Sequence, residues 1–529
     1  MITLEEISKN TPDGKILFED VTITFNKNTR YGLTGPNGSG KSTLLKIMIG
    51  EVESSGGKVF LPKKVGYLQQ NIEDYALDRV IDVVIQGNPR LWEVMQKKDA
   101  LYLVEMTDEV GMELAHLEEI VMEEYGYMAE PQAEELLIGM GVDISFFEKQ
   151  MHTLPQDTQF KVLLCQALFG SPEALILDEP TNHLDLDSIS WLEHFLKSFD
   201  GCLIVTSHDR HFLNTITTQI ADIDYETIII YPGNYDAMVM AKMGVRKQAE
   251  HEKRSREKKI SQLKEFIEKF RAGTRASQVQ SRMREVERLQ PQDLKESNIQ
   301  RPYINFPNPE KSSGKIVIKA KDLEKSFGDL NVIVNFSLEI EKGEKIGIIG
   351  NNGKGKTTLL KLLCQKLDPD KGNVELGHNV DMGYFPQNHD EVLDTTSTQT
   401  LFDYLKAIKP NTYDQEIRGC LGKMLFSGDD AFKPLSALSG GEKARLILSS
   451  LMLKEHNTLF LDEPNNHLDL ESVSALAKGL ECFQGTVVLV AHDRDLIQHV
   501  ATKIIAFEKD QLKIFNGTFE EYLTTDVMQ

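Results

Sequence analysis

Two short stretches carry the residue types that could grip a polyphosphate: Gly35-Pro36-Asn37-Gly38-Ser39-Gly40-Lys41-Ser42-Thr43 and Gly350-Asn351-Asn352-Gly353-Lys354-Gly355-Lys356-Thr357-Thr358. Glycines let backbone N–H groups turn toward phosphate oxygens, and the N-terminus of a following helix adds its dipole. Lys41 and Lys356 would reach the β- and γ-phosphates, and the Ser42 and Thr357 hydroxyls would hold Mg²⁺. Each stretch follows a β-like run (Tyr31 to Thr34; Ile346 to Ile349) and precedes a helical one (Leu44 to Ile47; Leu359 to Leu362). That is the context a phosphate-binding loop requires. A single copy would leave an ordinary glycine loop as the competing reading.

Hydrolysis of ATP also needs a metal partner, a base for water and a group that senses the γ-phosphate. Two apolar runs end in acid pairs, Asp178-Glu179 and Asp462-Glu463. The aspartates fit as Mg²⁺ partners and the glutamates as general bases. Gln70 and Gln387, in the turns Gly66-Tyr67-Leu68-Gln69-Gln70 and Gly383-Tyr384-Phe385-Pro386-Gln387, would touch metal or water. His208 and His492 stand at the same offset from the two acid pairs and would hydrogen-bond the γ-phosphate. A lone histidine there reads as structural; a matched pair reads as function.

These features recur in the same order about 315 residues apart, which is an internal duplication. Strands alternating with helices predict an α/β domain with a largely parallel sheet in each half. We expect a first domain over 1–236, a linker over 237–312 and a second domain over 313–529. The first half holds an extra stretch near 87–130, whose runs Leu91 to Leu103 and Val110 to Tyr125 predict a two-helix protrusion rather than a long loop. In the linker, Ile260, Leu263, Ile267 and Phe270 are spaced as a coiled-coil seam, and Val279, Met283 and Val286 continue it after a break. The expectation is an antiparallel helical hairpin with Arg271, Arg275, Arg282 and Arg284 at its tip, with a solvated charged connector as the alternative.

The 529 residues are 40% hydrophobic and 26% charged, with net charge −22, so a core of several domains is available and nucleic acid is at first sight an unsuitable partner. Lys242 to Glu296, however, holds roughly sixteen Lys/Arg against nine Asp/Glu. No apolar run approaches the ~20 residues that span a bilayer. The start of the chain does not read as a signal peptide. Five scattered cysteines without a CxxC pair fit a reducing cytoplasm, the expected location.

The second half carries Leu438-Ser439-Gly440-Gly441-Glu442-Lys443-Ala444-Arg445. With the preceding motifs it resembles the signature of ATP-binding cassettes. The fold class implied is two tandem cassette (P-loop NTPase) domains joined by an α-helical hairpin. In that family the signature of one cassette closes over ATP held by the other, with Ser439, Gly440 and Gly441 offering donors at a helix start. The first half has Pro155, Gln156 and Asp157 in those places. Proline lacks an N–H and Asp157 would turn a negative charge toward the γ-phosphate. Thr153 and Gln156 form a capping-box pattern there. The expectation is an asymmetric pair, with the first P-loop completed by Ser439 and Gly441 and the second facing a degraded signature. Phe327 is placed to stack on adenine in the second half; Lys9 to Gly14 offers no aromatic in the first.

Twin cassettes in one chain, a charged helical linker and a helical insertion resemble the ABC-F family of soluble translation factors across the whole chain. Ser207-His208-Asp209-Arg210-His211-Phe212-Leu213-Asn214 and Tyr231-Pro232-Gly233-Asn234-Tyr235 are similar to its YbiT subgroup. The resemblance implies an ATP hydrolase that acts as a monomer and binds the ribosomal exit (E) site when its cassettes close on ATP. It also implies an arm built from the insertion, and linker arginines that contact rRNA and P-site tRNA. The main rival is the ATP-binding subunit of a transporter with separate membrane subunits. A repair ATPase would need zinc modules or far longer coiled coils.

Overall fold

The computed structural model describes the chain apart from residues 12, 13, 15, 37, 70, 104–106, 225, 271–283, 285, 287–300, 310, 329, 395, 427, 467, 509, 510 and 527–529, and only the backbone of 246–257, 264–266 and 268–270. In the first half, strands β1 (Ile2–Asn10), β2 (Ile16–Phe25) and β4 (Gly56–Phe60) form an antiparallel sheet in the order β2-β1-β4. A second sheet takes β3 (Arg30–Thr34), β5 (Val65–Tyr67), β6 (Ala174–Leu177), β7 (Cys202–Val205), β8 (Gln219–Asp224) and β9 (Thr227–Pro232) in the order β5-β6-β7-β3-β8-β9. Its pairs are parallel except β8 with β9. Every residue of β6 and β7 is buried, the signature of strands covered by helices on both faces.

The second half repeats the plan. Strands β10 (Ile316–Phe327), β11 (Leu330–Glu341) and β13 (Lys371–Leu376) make the antiparallel sheet. Strands β12 (Lys345–Gly350), β14 (Met382–Phe385), β15 (Thr458–Asp462), β16 (Thr486–Val490), β17 (Lys503–Glu508) and β18 (Gln511–Asn516) order as β14-β15-β16-β12-β17-β18. The duplication read from motifs is thus a duplication of topology.

One expectation is corrected. Gly66-Tyr67 and Gly383-Tyr384 lie in the edge strands β5 and β14, not in turns. Glycine is required at Gly66 because a Cβ there would fall 2.1 Å from the Ala167 carbonyl oxygen on the helix crossing this strand.

Nine helices of the first half and linker matter for the site. They are α1 (Lys41–Ile49), α2 (Val80–Ile85), α3 (Pro89–Tyr102), α4 (Asp108–Glu123), α5 (Ala129–Gly139), α6 (Gln156–Leu168), α7 (Leu186–Lys197), α8 (Arg210–Ile216) and α9 (Tyr235–Phe270). The insertion is the pair α3 and α4. Asn88 caps α3 ahead of Pro89, and Thr107 caps α4. Val94, Leu117 and Val121 seal the pair into a small core of its own, flanked by a Lys98–Glu118 ion pair at 2.9 Å.

Helix α9 runs 36 residues. Along its seam Leu263 is buried and Ile260 and Ile267 are half-buried. Beyond Phe270 only Arg284 and Val286 are described before the connector; both are helical, and Arg284 is exposed. Arg271, Arg275, Arg282, Val279 and Met283 lie outside the described residues, as do Asn37 and Gln70. The connector then docks on the second cassette: Tyr303 N–H donates to Lys423 O, and Phe306 packs edge-on against Phe483.

The second half contributes α10 (Lys356–Leu363), α11 (Leu401–Ile408), α12 (Asp414–Lys423), α13 (Gly440–Leu453), α14 (Leu470–Cys482), α15 (Arg494–Val500) and α16 (Phe519–Asp526). The halves face each other. Asn352 Nδ2 donates to His183 O at 2.8 Å, Arg494 lies 3.9 Å from Glu193, Arg210 lies 3.9 Å from Asp495, and Leu470 joins the core of the first half.

Candidate active site

The two glycine loops have the geometry of a phosphate cradle. Gly35, Gly38 and Gly40 take φ of +148, +78 and +96, and Gly350, Gly353 and Gly355 take +143, +73 and +102. A Cβ on Gly355 would stand 2.1 Å from Val332 Cγ1, so both conformation and space demand glycine. Helices α1 and α10 begin at the two lysines, leaving N–H groups of their first turns aimed at the loop. Lys41 Nζ donates to Gly35 O (2.7 Å) and Pro36 O (3.3 Å); Lys356 Nζ donates to Gly350 O (2.8 Å) and Asn351 O (3.0 Å). Burial holds both ammonium groups below their ordinary range, which a bound polyanion would offset.

Each acid pair ends a buried strand beside its loop. In the second half Thr357 Oγ1 donates to Asp462 Oδ1 at 3.1 Å, while Asp462 Oδ2 is buried without a hydrogen-bond partner among the described residues. Burial and then the neighbouring Glu463 push Asp462 up to about 7. In the first half Asp178 Oδ1 accepts instead from Thr206 Oγ1 at 2.7 Å, and the same hydroxyl accepts the Glu179 N–H at 2.9 Å. No Ser42–Asp178 hydrogen bond is seen among the described residues. Sequence reasoning missed Thr206, although the duplicate offers a signal: Val490 stands in its place.

Both glutamates take left-handed backbone conformations, φ +52 at Glu179 and +47 at Glu463. For a non-glycine residue this costs about 1–3 kcal/mol, strain of the kind stored at functional sites. His208 clasps Glu179 twice, by its N–H to Oε2 (3.0 Å) and by Nε2 to Oε1 (3.2 Å). Glu463 accepts from Asn466 Nδ2 (2.7 Å) and Gln387 Nε2 (3.3 Å), and His492 Nε2 lies 3.5 Å away. Both ring nitrogens of His492 are buried without a hydrogen-bond partner among the described residues. Burial, reinforced by Lys356, drives His492 down to about 3, so its ring is neutral and one nitrogen can accept.

Burial, then Asp178, pushes Glu179 up to about 8. The folded chain therefore keeps this proton to about pH 8, whereas the unfolded chain loses it near 4.5. The folded state binds more protons across that window, so this group's stabilisation is full below it and is lost as pH rises through it. Glu179→Gln has no proton to lose and is expected to show a flatter dependence between about pH 5 and 8, read from urea midpoints.

The degraded signature meets the second site. Helix α6 starts at Gln156 with Pro155 as its N-cap and no side-chain cap, so the expected Thr153/Gln156 capping box does not form. Pro155, with no N–H and extended ψ, moves the helix start downstream, and Thr153 Oγ1 donates to Gln150 O instead. Asp157 pairs with His183 Nδ1 at 3.3 Å, and both line one cavity with Asn352, Gln387, Glu463 and His492. A buried ion pair, Lys161 to Asp185 at 3.0 Å, ties α6 to the loop carrying His183. Lys161→Met leaves Asp185 buried without its cation and is expected to cost about 3–5 kcal/mol, measured by chemical denaturation. At the intact signature Ser439 and Glu442 form a reciprocal capping box, and Ser439 is exposed. Phe327 is also exposed, at the β10–β11 hairpin, with Lys325 Nζ 5.8 Å from its ring centre.

Left-handed glycine cradles and lysines that open a helix fit a triphosphate, and the orphaned, buried Asp462 Oδ2 fits the Mg²⁺ that would accompany it. Two such cradles, one in each half, define a class: an ATPase built from paired P-loop cassettes. A sequence profile described as ABC transporter matches residues 18–182 and 333–466, and a second profile of the same description matches 221–306. The chain is 39% identical over 514 residues to the probable ATP-binding protein YbiT of Escherichia coli O157:H7, covering 96% of each. It is 40% identical over 528 residues to YkpA, described as an uncharacterized ABC transporter ATP-binding protein, of Bacillus subtilis (strain 168), covering 99% of this chain and 97% of the relative. Among solved structures, an archaeal ribosome recycling factor aABCE1, in complex with the ribosomal stalk protein aP1, matches with TM-score 0.64 at 17% identity, over 99% of this chain and 92% of that one. The protein belongs to the ATP-binding cassette family, in its ABC-F branch of twin-cassette ATPases.

Proposed function

We propose that the chain is a cytoplasmic ABC-F factor that binds the ribosome at the E site when its cassettes close on ATP and leaves after hydrolysis. In this reading Gly35–Thr43 and Gly350–Thr358 cradle the phosphates, with Ser42 and Asp178, and Thr357 and Asp462, holding Mg²⁺. The metal supplies charge neutralisation on the phosphates when bound. Glu179 and Glu463 take the proton of the attacking water, His208 and His492 donate hydrogen bonds to the γ-phosphate, and Gln70 and Gln387 orient the water. Ser439, Gly440 and Gly441 close the first site, and Phe327 stacks on adenine at the second.

The observation that carries the ribosome reading is the linker: a basic excess in the sequence between the cassettes of an acidic chain, entered by the 36-residue helix α9. Arg271, Arg275, Arg282 and Arg284 are the proposed contacts to rRNA and P-site tRNA. A transporter subunit would leave that excess unexplained. No helix among the described residues is long and apolar enough to cross a membrane. Cosedimentation of the ATP-trapped Glu179→Gln/Glu463→Gln protein with ribosomes tests the reading; copurification with a membrane protein and no ribosome association overturns it.

Asymmetry adds a second test. Asp157 lines the same cavity as Glu463 and Asn352. Pro155→Ser/Gln156→Gly/Asp157→Gly restores donors and removes a charge, and is expected to raise turnover at the second site about tenfold in a Glu179→Gln background, by steady-state phosphate release.

A further inference from the structure

A buried polar chain leads from the first P-loop to the linker. Thr34 ends β3 and immediately precedes Gly35. Its Oγ1 donates to Asp222 Oδ1 at 3.0 Å, in register across β3 and β8. Asp222 is wholly buried and Asp224 nearly so. Lys242, about two turns into α9, pairs with Asp222 Oδ2 and with Asp224 Oδ2, the latter at 3.0 Å. Against the desolvation that opposes its charge, the two carboxylates hold Lys242 above its ordinary range.

The duplicate supplies an internal control. Thr34 and Asp222 correspond to Ile349 and Ala506, which occupy the same register across β12 and β17, and Lys242 corresponds to Asp526. The fold therefore does not need a polar pair at this position. A buried charge pair is costly to desolvate and weak as a source of stability, so its presence only where a cassette continues into the linker points to another use. The base of α9 is also joined to α8, which follows His208 in the chain: Arg210 Nε donates to Asp236 Oδ1 at 2.8 Å, and Asn214 Oδ1 accepts the Asp236 N–H at 3.1 Å.

We propose that Thr34, Asp222 and Lys242 form a positioning relay through which the nucleotide state of the first P-loop sets the pose of the linker helix. Lys41 exchanges the carbonyls of Gly35 and Pro36 for phosphate when ATP binds. Gly35 then shifts, Thr34 follows, and Asp222, wholly buried and held by both Thr34 and Lys242, transmits the change. The relay rests on ATP binding at the first P-loop and not on the ribosome reading.

Hydrogen exchange of the full chain, with and without Mg-ATP in the Glu179→Gln/Glu463→Gln background, tests it. ATP is expected to slow exchange of the amides over 236–245 at least about tenfold. Thr34→Val, which removes only the hydroxyl from an isosteric side chain, is expected to cut that ATP-dependent change at least about threefold while ATP affinity stays within about threefold. Thr34→Ile/Asp222→Ala, which copies the second cassette and keeps the Lys242–Asp224 pair, is expected to abolish it. An ATP-dependent change in Thr34→Val equal to that of the parent overturns the relay, as does a parent whose linker exchange ignores ATP. Should the double variant fail to fold, Thr34→Val alone decides. Loss of ATP binding in the parent would instead overturn the site reading, and is measured separately by nucleotide titration.

Discussion

Glu179→Gln is expected to lower ATP turnover by about 10²-fold or more, while Glu463→Gln leaves most of it intact. The two glutamates share sequence context and left-handed backbone strain, so neither feature decides between them. What separates them is the opposite cassette. The second site shares its cavity with Asp157, and the pair Asp157–His183 sits where donors to a γ-phosphate would be needed. A carboxylate there repels the charge that builds in phosphoryl transfer, and Pro155 has no N–H to offer. The first site is the one proposed to receive Ser439 and Gly441. Its base is also raised to about 8 and held by His208 from two directions, close to the condition that favours proton transfer near neutral pH. Single-turnover and steady-state phosphate release for each variant decide the matter. Abolished turnover in Glu463→Gln with intact turnover in Glu179→Gln would falsify the assignment.

The ATP-trapped double variant is expected to pellet with ribosomes and to persist at moderate salt, with replacement of Arg271, Arg275, Arg282 and Arg284 by glutamine weakening association strongly. Each lost phosphate contact lowers the slope of log affinity against log salt by roughly 0.7–0.9, so the fourfold variant should lose about three units of slope. A chain of net charge −22 needs such a localised cationic surface to approach RNA at all. Unchanged salt dependence in the fourfold variant would remove the linker from the RNA contacts while leaving the ATPase chemistry untouched.

Much of this was legible in the residues. A glycine loop between an apolar run and a helical one has few alternative uses, and its repetition with acid pairs and histidines at matched offsets fixed the fold class, since both copies must build the same sheet around the same loop. The insertion helices were legible from the runs Leu91 to Leu103 and Val110 to Tyr125, because a structureless stretch of that length is uncommon; the caps at Asn88 and Thr107 emerged only in the structure. The Gly66-Tyr67 strand was misjudged because a glycine before an aromatic reads locally as a turn. Only the approach of α6, which leaves no room for a Cβ, shows why glycine stands in a strand. The capping box at Thr153 failed for a comparable reason, as Pro155 dictates where α6 can begin.

Two phosphate-loop motifs and one departed signature can be read from the residues alone, because those features reside in contiguous stretches whose chemistry does not depend on their neighbours in space. Which residues share a cavity depends on the packed fold. Asp157 and Glu463 are about 300 positions apart in a chain whose duplication makes either pairing conceivable, and it is the packing of one cassette on the other that brings them together. Thr206, Lys161 and the Thr34–Asp222–Lys242 chain were invisible for the same reason: a hydroxyl or an ammonium group acquires a role only when folding removes its water and supplies its partner.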